Sequence, residues 1–268
     1  MSTSDFNGKV KRHVAKNFDQ SIQIYQQFEE KHHFFRDLTL KLADRIVIKE
    51  RSSILDIGCG CGISAKALND RLGCKVLGVD LSHEMVTAGI ALCAEDDIRL
   101  LEGDGEHLLQ IVGDRRFDYA LYNASIFIFP DVSRTIDEAY NCLKTGGKIA
   151  FSFYPQLVGQ GDEDLLDVAF HRLGEFLPRF RVITDYPQAS EALAHRCSNI
   201  CHHRWVRPLD IPFLQDFFSI PAQSASLFPG VGYDVRRNLV KNLFATLEDK
   251  AEKGRIVWRM AESIKLKA

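Results

Sequence analysis

The sequence contains no apolar run that approaches the ~20 residues needed for a transmembrane helix. Its first residues, MSTSDFNGKVKR, are polar, so we expect no signal peptide. Basic residues are not in excess, and the formal net charge of −2 gives no electrostatic indication of binding to nucleic acid or to an anionic membrane. These absences predict a cytoplasmic protein with a small-molecule partner.

The seven cysteines are odd in number, and several of them lie in segments that we predict to be buried. This usage favours reduced thiols over a disulfide framework. Repeats, low-complexity tracts and clear linkers are also absent. A length of 268 residues therefore predicts one large domain with insertions.

The most informative stretch reads ILDIGCGCG, from Ile54 to Gly62, and a helical pattern follows it. A short apolar run before alternating glycines predicts a buried strand, a tight turn and a helix N-terminus. Glycine allows positive φ and lets a ligand approach the backbone closely. The first N–H groups of the helix favour an anionic ligand group.

The spacing of this loop separates it from phosphate-binding loops. Its third glycine comes one residue earlier than in G-x-G-x-x-G, and no G-K-[ST] follows. Asp56, at the end of the strand, would repel a phosphate and attract an ammonium group. Asp80 ends a second strand 24 residues later, the spacing at which a carboxylate accepts hydrogen bonds from a ribose. The pattern indicates a ligand with a ribose and a cationic amino-acid end.

The motifs ILDIGCGCG, VLGVD and Glu102-Gly103-Asp104 together resemble class I S-adenosylmethionine-dependent methyltransferases over about residues 45–155. Within that family the likeness is to the type 11 group, which includes BioC- and UbiE-like small-molecule enzymes. The resemblance implies a Rossmann-like α/β fold. Its doubly wound, mostly parallel sheet would have seven strands, and helical lid and cap insertions would cover it.

Alternating strand and helix patterns from residue 53 to residue 154 agree with this fold, because βα units build a parallel sheet with its ligand at the carboxyl ends of the strands. Strands are predicted near 54–58, 75–80, 97–102, 117–122 and 147–153, and helices near 63–71, 83–94, 105–112 and 131–144. We predict a lid in residues 1–50, a cofactor-binding core in 51–154, and cap helices with the final antiparallel strands in 155–268.

Apolar spacing predicts one or two helices over residues 9–46, and the basic residues Lys9, Lys11 and Arg12 are expected to form a solvated arm. The segment VAKNFDQSIQIYQQF resembles the family's lid helix, which implies that Phe18 and Tyr25 cover the methionine end of the cofactor. Alternatively, both aromatic residues are ordinary core residues. The last stretch, residues 254–265, predicts a strand with Ile256, Trp258 and Met260 on one face.

The cofactor implied by the resemblance is S-adenosylmethionine, with S-adenosylhomocysteine as product. The resemblance places Asp56, Gly58, Cys59 and Gly60 around the methionine, Asp80 on the ribose, and Leu81 and Met85 beside the adenine. Further cofactor contacts are implied for Tyr25, Gly103, Asp104, Gly105 and Asn123.

The sequence lacks a [DN]-P-P-[YFW] motif and a Pro-Cys pair, which argues against methylation of adenine, glutamine amides or cytosine C5. A small, largely apolar acceptor is therefore expected, with O-methylation favoured and C- or N-methylation left open. Its apolar wall is predicted from Phe127, Phe129, Phe213, Phe217, Phe218 and Phe228. The general base is unknown, and nothing in the sequence ranks the candidates His171, His202 and Tyr25.

Five soft or borderline metal ligands fall within nine residues: His195, Cys197, Cys201, His202 and His203. Such a set could bind Zn²⁺, but no second C-x-x-C pair follows, and we expect no metal. Two other functions stay open. The chain could hold S-adenosylmethionine or its product without catalysis, as a module or carrier. An RNA or protein methyltransferase is disfavoured by the charge. A monomer and a homodimer are equally compatible with the sequence.

Overall fold

The structure is a computed structural model, which describes residues 3–94, 96–178 and 182–265, without the side chains of residues 3, 4 and 198. The helices are α1 Thr3–Asp19, α2 Ile22–His32, α3 Phe34–Ile46, α4 Ile63–Leu72, α5 His83–Leu92, α6 Leu108–Val112, α7 Val132–Cys142, α8 Leu165–Arg172, α9 Tyr186–Arg196, α10 Ile211–Ser219, α11 Pro221–Leu227 and α12 Tyr233–Ala245. The strands are β1 Ser53–Ile57, β2 Lys75–Asp80, β3 Ile98–Glu102, β4 Phe117–Asn123, β5 Leu143–Ser152, β6 Gln156–Val158, β7 Ser198–Pro208 and β8 Arg255–Ile264.

One mixed sheet organises the molecule. Its parallel part runs in the order β3-β2-β1-β4-β5, and β8 continues it antiparallel to β5. The other edge of β8 pairs with β7, while the short β6 follows β5 and pairs with the start of β8. The predicted α/β, doubly wound, mostly parallel fold is confirmed. The predicted count of seven strands is wrong, because a three-residue strand after β5 makes eight.

The apolar composition of β1 explains its central position in the sheet. Ile54, Leu55 and Ile57 are fully buried, as expected for a parallel strand that helices cover on both faces. The helix that follows β2 starts where Ser82 accepts a hydrogen bond from the backbone N–H of Met85 at 3.2 Å. Such caps satisfy N–H groups that the helix itself leaves unpaired.

The N-terminal region forms three helices rather than the predicted one or two. The break between α2 and α3 falls at His33, whose φ of 47° is left-handed. The buried Glu29 carboxylate accepts hydrogen bonds from the backbone N–H groups of Phe35 and Arg36, at 2.8 and 3.0 Å. This carboxylate therefore fixes the start of α3 in the turn.

A cluster of aromatic rings joins the N-terminal helices to the C-terminal elements. Phe28 lies 5.5 Å from Phe213 and 5.7 Å from Phe217, and Phe34 lies 4.5 Å from Trp258, between ring centroids. The predicted inner face of the last strand is confirmed, since Ile256, Trp258 and Met260 are buried. The three-part division of the chain stays a prediction. None of the helices in the described ranges is long and apolar enough to cross a membrane.

Candidate cofactor and acceptor cavity

A cavity of about 840 Å³, counting its open mouth, lies at the carboxyl ends of β1 to β4. Most of the residues predicted to contact the cofactor line it. These are Tyr25, Gly58, Gly60, Asp80, Leu81, Met85, Gly103, Asp104, Gly105 and Asn123. The other two, Asp56 and Cys59, are buried and are not lining residues.

The glycine loop leaves room for a ligand at one position and for a neighbouring side chain at another. A Cβ on Gly60, where φ is +53°, would meet no atom within 4 Å. A Cβ on Gly58, where φ is +71°, would lie 2.5 Å from the Cβ of Ser125. Gly58 is therefore required by packing and backbone conformation, whereas Gly60 borders open space in which a ligand can approach the main chain.

Asp80 is held at the end of β2 by main-chain donors. Its carboxylate accepts hydrogen bonds from the N–H groups of Gly60 at 2.8 Å and Ser82 at 2.9 Å. Burial raises the pKa of Asp80, and these hydrogen bonds act against that rise. The side chain thus faces the cavity as an oriented hydrogen-bond acceptor, which suits a ribose diol.

Asp56 is the unusual acid of the site. Its side chain is 1% exposed, and neither carboxylate oxygen has a hydrogen-bond partner in the described part of the chain. Burial first, and the nearby charge of Asp80 second, raise the pKa of Asp56 to about 7. The negative charge of Asp80 in the lining, with the buried Asp56 near it, favours a cationic ligand group. The orphaned carboxylate, the acceptor at Asp80 and the open space at Gly60 fit a ligand with a ribose and an ammonium group.

Asp104 has a partner that the sequence did not indicate. The Lys11 ammonium group, on α1, lies 2.7 Å from the Asp104 carboxylate and also contacts Glu106. Burial pushes the pKa of Asp104 upward, but Lys11 and the hydrogen bond from the Glu106 N–H outweigh it, and the pKa lies below its ordinary value. The prediction that Lys11 belongs to a solvated arm is wrong, because its side chain is only 18% exposed.

The last residue of α1, Asp19, attaches the helix to the protein at a second point beside the cavity. The Asp19 carboxylate accepts a hydrogen bond from the Ser82 hydroxyl at 2.6 Å, next to the Asp80 carboxylate that Ser82 also contacts. Phe18 on α1 and Tyr25 on α2 both line the cavity, and the Tyr25 ring stacks on Phe35 at 4.6 Å. The N-terminal aromatic residues therefore cover the cavity that the glycine loop opens.

Asn123 lines the cavity, but its side chain is engaged within the protein. Its amide donates to the Thr39 hydroxyl at 2.7 Å and the Ser64 hydroxyl at 3.0 Å, and its carbonyl accepts from Ser152 at 2.8 Å. The side chain therefore ties α3 and α4 to the sheet. These partners lie far from Asn123 in sequence, so no local pattern indicates them.

Of the phenylalanines predicted to form the apolar wall, Phe129 lines the cavity and the others do not. Phe213, Phe217 and Phe218 belong to the aromatic core. Phe127 packs against Phe153 and Tyr154, and Phe228 packs against Phe170. Beside Phe129, the apolar lining includes Val14, Phe18, Phe35, Ile128 and Pro130.

The candidate histidines also lie outside the cavity. His171 is exposed at the end of α8, and His202 is exposed on β7, with its Nδ1 2.8 Å from the Tyr186 hydroxyl. Tyr25 is the one candidate base that lines the cavity, and burial raises its pKa well above the ordinary value. Among the described residues, His195 to His203 included, no three potential ligands form a group that could hold a metal ion.

The central part of the chain matches a known protein family. Residues 55–151 match the family described as "Methyltransferase domain". A curated relative, phosphoethanolamine N-methyltransferase 2 of Caenorhabditis elegans, is 30% identical over 56% of this chain and 34% of its own length. Malonyl-(acyl-carrier protein) O-methyltransferase 1 of Ilyobacter polytropus is 29% identical over 54% of this chain and 53% of its own length.

This chain thus spans about a third to a half of those two relatives. Nearly the whole chain is similar to the solved structure of the cyclase SpnF, with a TM-score of 0.65 and 17% identity. The similarity covers 96% of this chain and 97% of that one. At this identity the likeness concerns the fold alone. The match at residues 55–151 supports the resemblance to class I S-adenosylmethionine-dependent methyltransferases that the sequence motifs indicate.

Proposed function

We propose that the chain transfers the methyl group of S-adenosylmethionine to a small, largely apolar molecule, preferably to an oxygen atom. The observation that carries this proposal is one cavity that combines oriented acids along the strand ends with an apolar lining from α1, α3 and the segment after β4. A nucleoside with a cationic amino-acid end suits the first surface, and an apolar acceptor suits the second.

The cofactor contacts follow from the resemblance and stay proposals. Asp80 would bind the ribose, Leu81 and Met85 would flank the adenine, and Asp104 would lie near the exocyclic amine. Asp56, Gly58, Cys59 and Gly60 would surround the methionine. Tyr25 and Asn123 would lie closer to the methyl group.

The cofactor, when bound, supplies a methyl group that a positively charged sulfur has already activated. The task left to the chain is to align the acceptor and to exclude water. Helix α1 and the rings of Phe18, Phe35 and Phe129 do the latter, because they cover the cavity with apolar surface. A general base is required only if the acceptor arrives protonated, and we assign none.

The names of the two relatives leave the receiving atom open. One is an N-methyltransferase and the other an O-methyltransferase. SpnF is named a cyclase, so the fold by itself does not fix methyl transfer. A module that holds the cofactor without transferring its methyl group is therefore the second candidate.

Calorimetry with S-adenosylhomocysteine tests the site, and release of that product from S-adenosylmethionine with a library of small acceptors tests turnover. Asp80→Ala should weaken S-adenosylhomocysteine binding by about 1–3 kcal/mol, because it removes a charged hydrogen-bond acceptor. Asp114→Ala is the matched control, since Asp114 is exposed on a loop outside the cavity. Binding without turnover on any acceptor would support the module, and absence of binding would overturn both candidates.

A further inference from the structure

Gln223 is a polar side chain of the cavity that none of the assigned contacts uses. It lies on α11, outside the matched domain, and among the described residues after 154 it is the one that lines the cavity. Gln223 is 8% exposed as a residue, its side-chain amide makes no hydrogen bond within the described ranges, and the amide is not among the fully buried atoms that lack a partner, so it stays accessible to a ligand. Its backbone is satisfied, since its N–H donates to Ile220 and its carbonyl accepts from Ser226.

The place of Gln223 relative to the lid is fixed by one hydrogen bond. The N–H of the preceding residue, Ala222, donates to the Ser21 hydroxyl at 3.0 Å. Ser21 precedes α2, and its carbonyl accepts from the N–H of Tyr25 one turn later. This contact brings α11 to the start of the helix that carries Tyr25, on the covered side of the cavity.

The other polar side chains of the lining are accounted for. Lys11 pairs with Asp104, the Asn123 amide is bound to Thr39 and Ser64, and the Ser125 hydroxyl donates to the Ile57 carbonyl at 2.6 Å. The Tyr25 hydroxyl has no hydrogen-bond partner among described residues, but the resemblance assigns it to the cofactor. An amide on the cavity wall that makes no hydrogen bond within the described part of the protein is available to a ligand that enters the cavity.

The charges of the lining restrict what that ligand can be. Among described residues, Lys11, Asp80 and Asp104 are its charged side chains, and the single cation is already paired with two carboxylates. A phosphate or carboxylate on the acceptor would lose its hydration without gaining a cation. A glutamine amide, by contrast, offers one acceptor and two donors without charge.

We infer that Gln223 is a specificity-determining residue of the acceptor site. It holds an uncharged, largely apolar molecule through a hydroxyl or carbonyl oxygen. This inference rests on the proposed function and narrows its substrate class. It separates this chain from enzymes whose acceptors carry a phosphate or a carboxylate.

The test uses the full chain saturated with S-adenosylhomocysteine and three probes that share one apolar body: naphthol, naphthoate and naphthyl phosphate. Binding is measured by ligand-detected NMR titration. Naphthol should bind, and the two anionic probes should bind about tenfold more weakly or not at all. Gln223→Leu should weaken naphthol binding by about five- to tenfold.

Two controls separate a site effect from misfolding. Gln223→Leu should leave the affinity for S-adenosylhomocysteine unchanged, and Gln27→Leu, on the exposed face of α2, should leave both affinities unchanged. The inference is overturned if a charged probe binds as tightly as naphthol, if naphthol does not bind at millimolar concentration, or if Gln223→Leu binds naphthol normally. If the unaltered chain does not bind S-adenosylhomocysteine, the proposed function is overturned instead.

Discussion

Gly60 and Gly174 are a matched pair of glycines with positive φ, of +53° and +73°, and with open space where a Cβ would lie. Only Gly60 lines the cavity. Alanine at either position should cost about 1 kcal/mol of stability, because left-handed backbone is unfavourable for residues with a Cβ. Gly60→Ala should also weaken S-adenosylhomocysteine binding about tenfold, since its methyl group takes ligand space. Equal affinities of the two variants in calorimetry would show that the loop is not the cofactor site.

Asp56 predicts a pH dependence of stability whose sign follows from its raised pKa. The pKa rises from an ordinary value of 3.8 to about 7 on folding, so the native state retains a proton that the unfolded state loses within this window. The contribution of Asp56 to stability is therefore complete below the lower value and is lost as the pH rises through about 7. Asp56→Asn lacks this contribution.

The check for Asp56 is urea unfolding of both proteins from about pH 4 to about pH 8. Relative to the unaltered chain, Asp56→Asn should become more stable as the pH rises, and the difference should be constant above the window. Asp167→Asn, which changes an exposed acid on α8, should show no such trend. A difference between Asp56→Asn and the unaltered chain that does not vary with pH would contradict the raised pKa.

Residues that act through distant partners could not be identified from sequence. Asp56, Asp80 and Asp104 are recognisable because each follows an apolar run at the end of a strand. Lys11 precedes its partner Asp104 by 93 residues, and only the packing of α1 across the sheet brings them together. Gln223 was likewise missed, because a glutamine in a helix usually faces solvent.

At the level of elements, the paired Lys11 ammonium group is one polar attachment of α1 to the core, and the Asp19 carboxylate is another. Lys11→Met keeps an apolar stem of similar length and removes the charge. The amide hydrogens of α1 should then exchange about fivefold faster in the ligand-free protein, because a partly buried ion pair contributes roughly 1 kcal/mol to holding the helix. Lys16→Met, on an exposed position of the same helix, should leave exchange unchanged. Unaltered exchange in Lys11→Met would mean that α1 is held by other contacts.

The sequence predicted the regular elements well and the role of the cap phenylalanines poorly. β1 to β4 fall within a residue or so of the predicted strands, since buried parallel strands are continuous apolar runs. β6 was missed because three residues carry no periodicity. Phe213 and Phe217 repeat at helical spacing, which shows that one helix face is covered but not whether a ligand or Phe28 covers it.

At the scale of the whole molecule, burial divides the N-terminal region in a way that the three segments predicted from the sequence do not show. α3 contributes seven buried residues and α2 contributes Phe28 and Glu29, so both belong to the core. Residues 5–19 of α1 have no buried side chain, although the helix crosses the cavity. The part of the N-terminal region that can act as a lid is therefore α1, and α2 and α3 support it.

Two truncations test this division. Removing residues 1–20 deletes α1 but keeps Ser21, which accepts the hydrogen bond from Ala222. The shortened protein should keep the circular dichroism spectrum and cooperative unfolding of a folded core. It should bind S-adenosylhomocysteine about tenfold more weakly, because water reaches the cavity that α1 covers.

Removing residues 1–30 also deletes Phe28, whose ring packs against Phe213 and Phe217, and Glu29, whose carboxylate holds the start of α3. Loss of a buried phenylalanine costs about 3–5 kcal/mol, so this longer truncation should unfold at a much lower urea concentration than the shorter one. If α1 is a lid that rests on α2 and α3, the first truncation should bind more weakly but keep its stability. The second truncation should lose stability. If the shorter truncation binds S-adenosylhomocysteine as tightly as the full chain, α1 does not cover the cofactor, and the Lys11–Asp104 pair serves only to pack the helix.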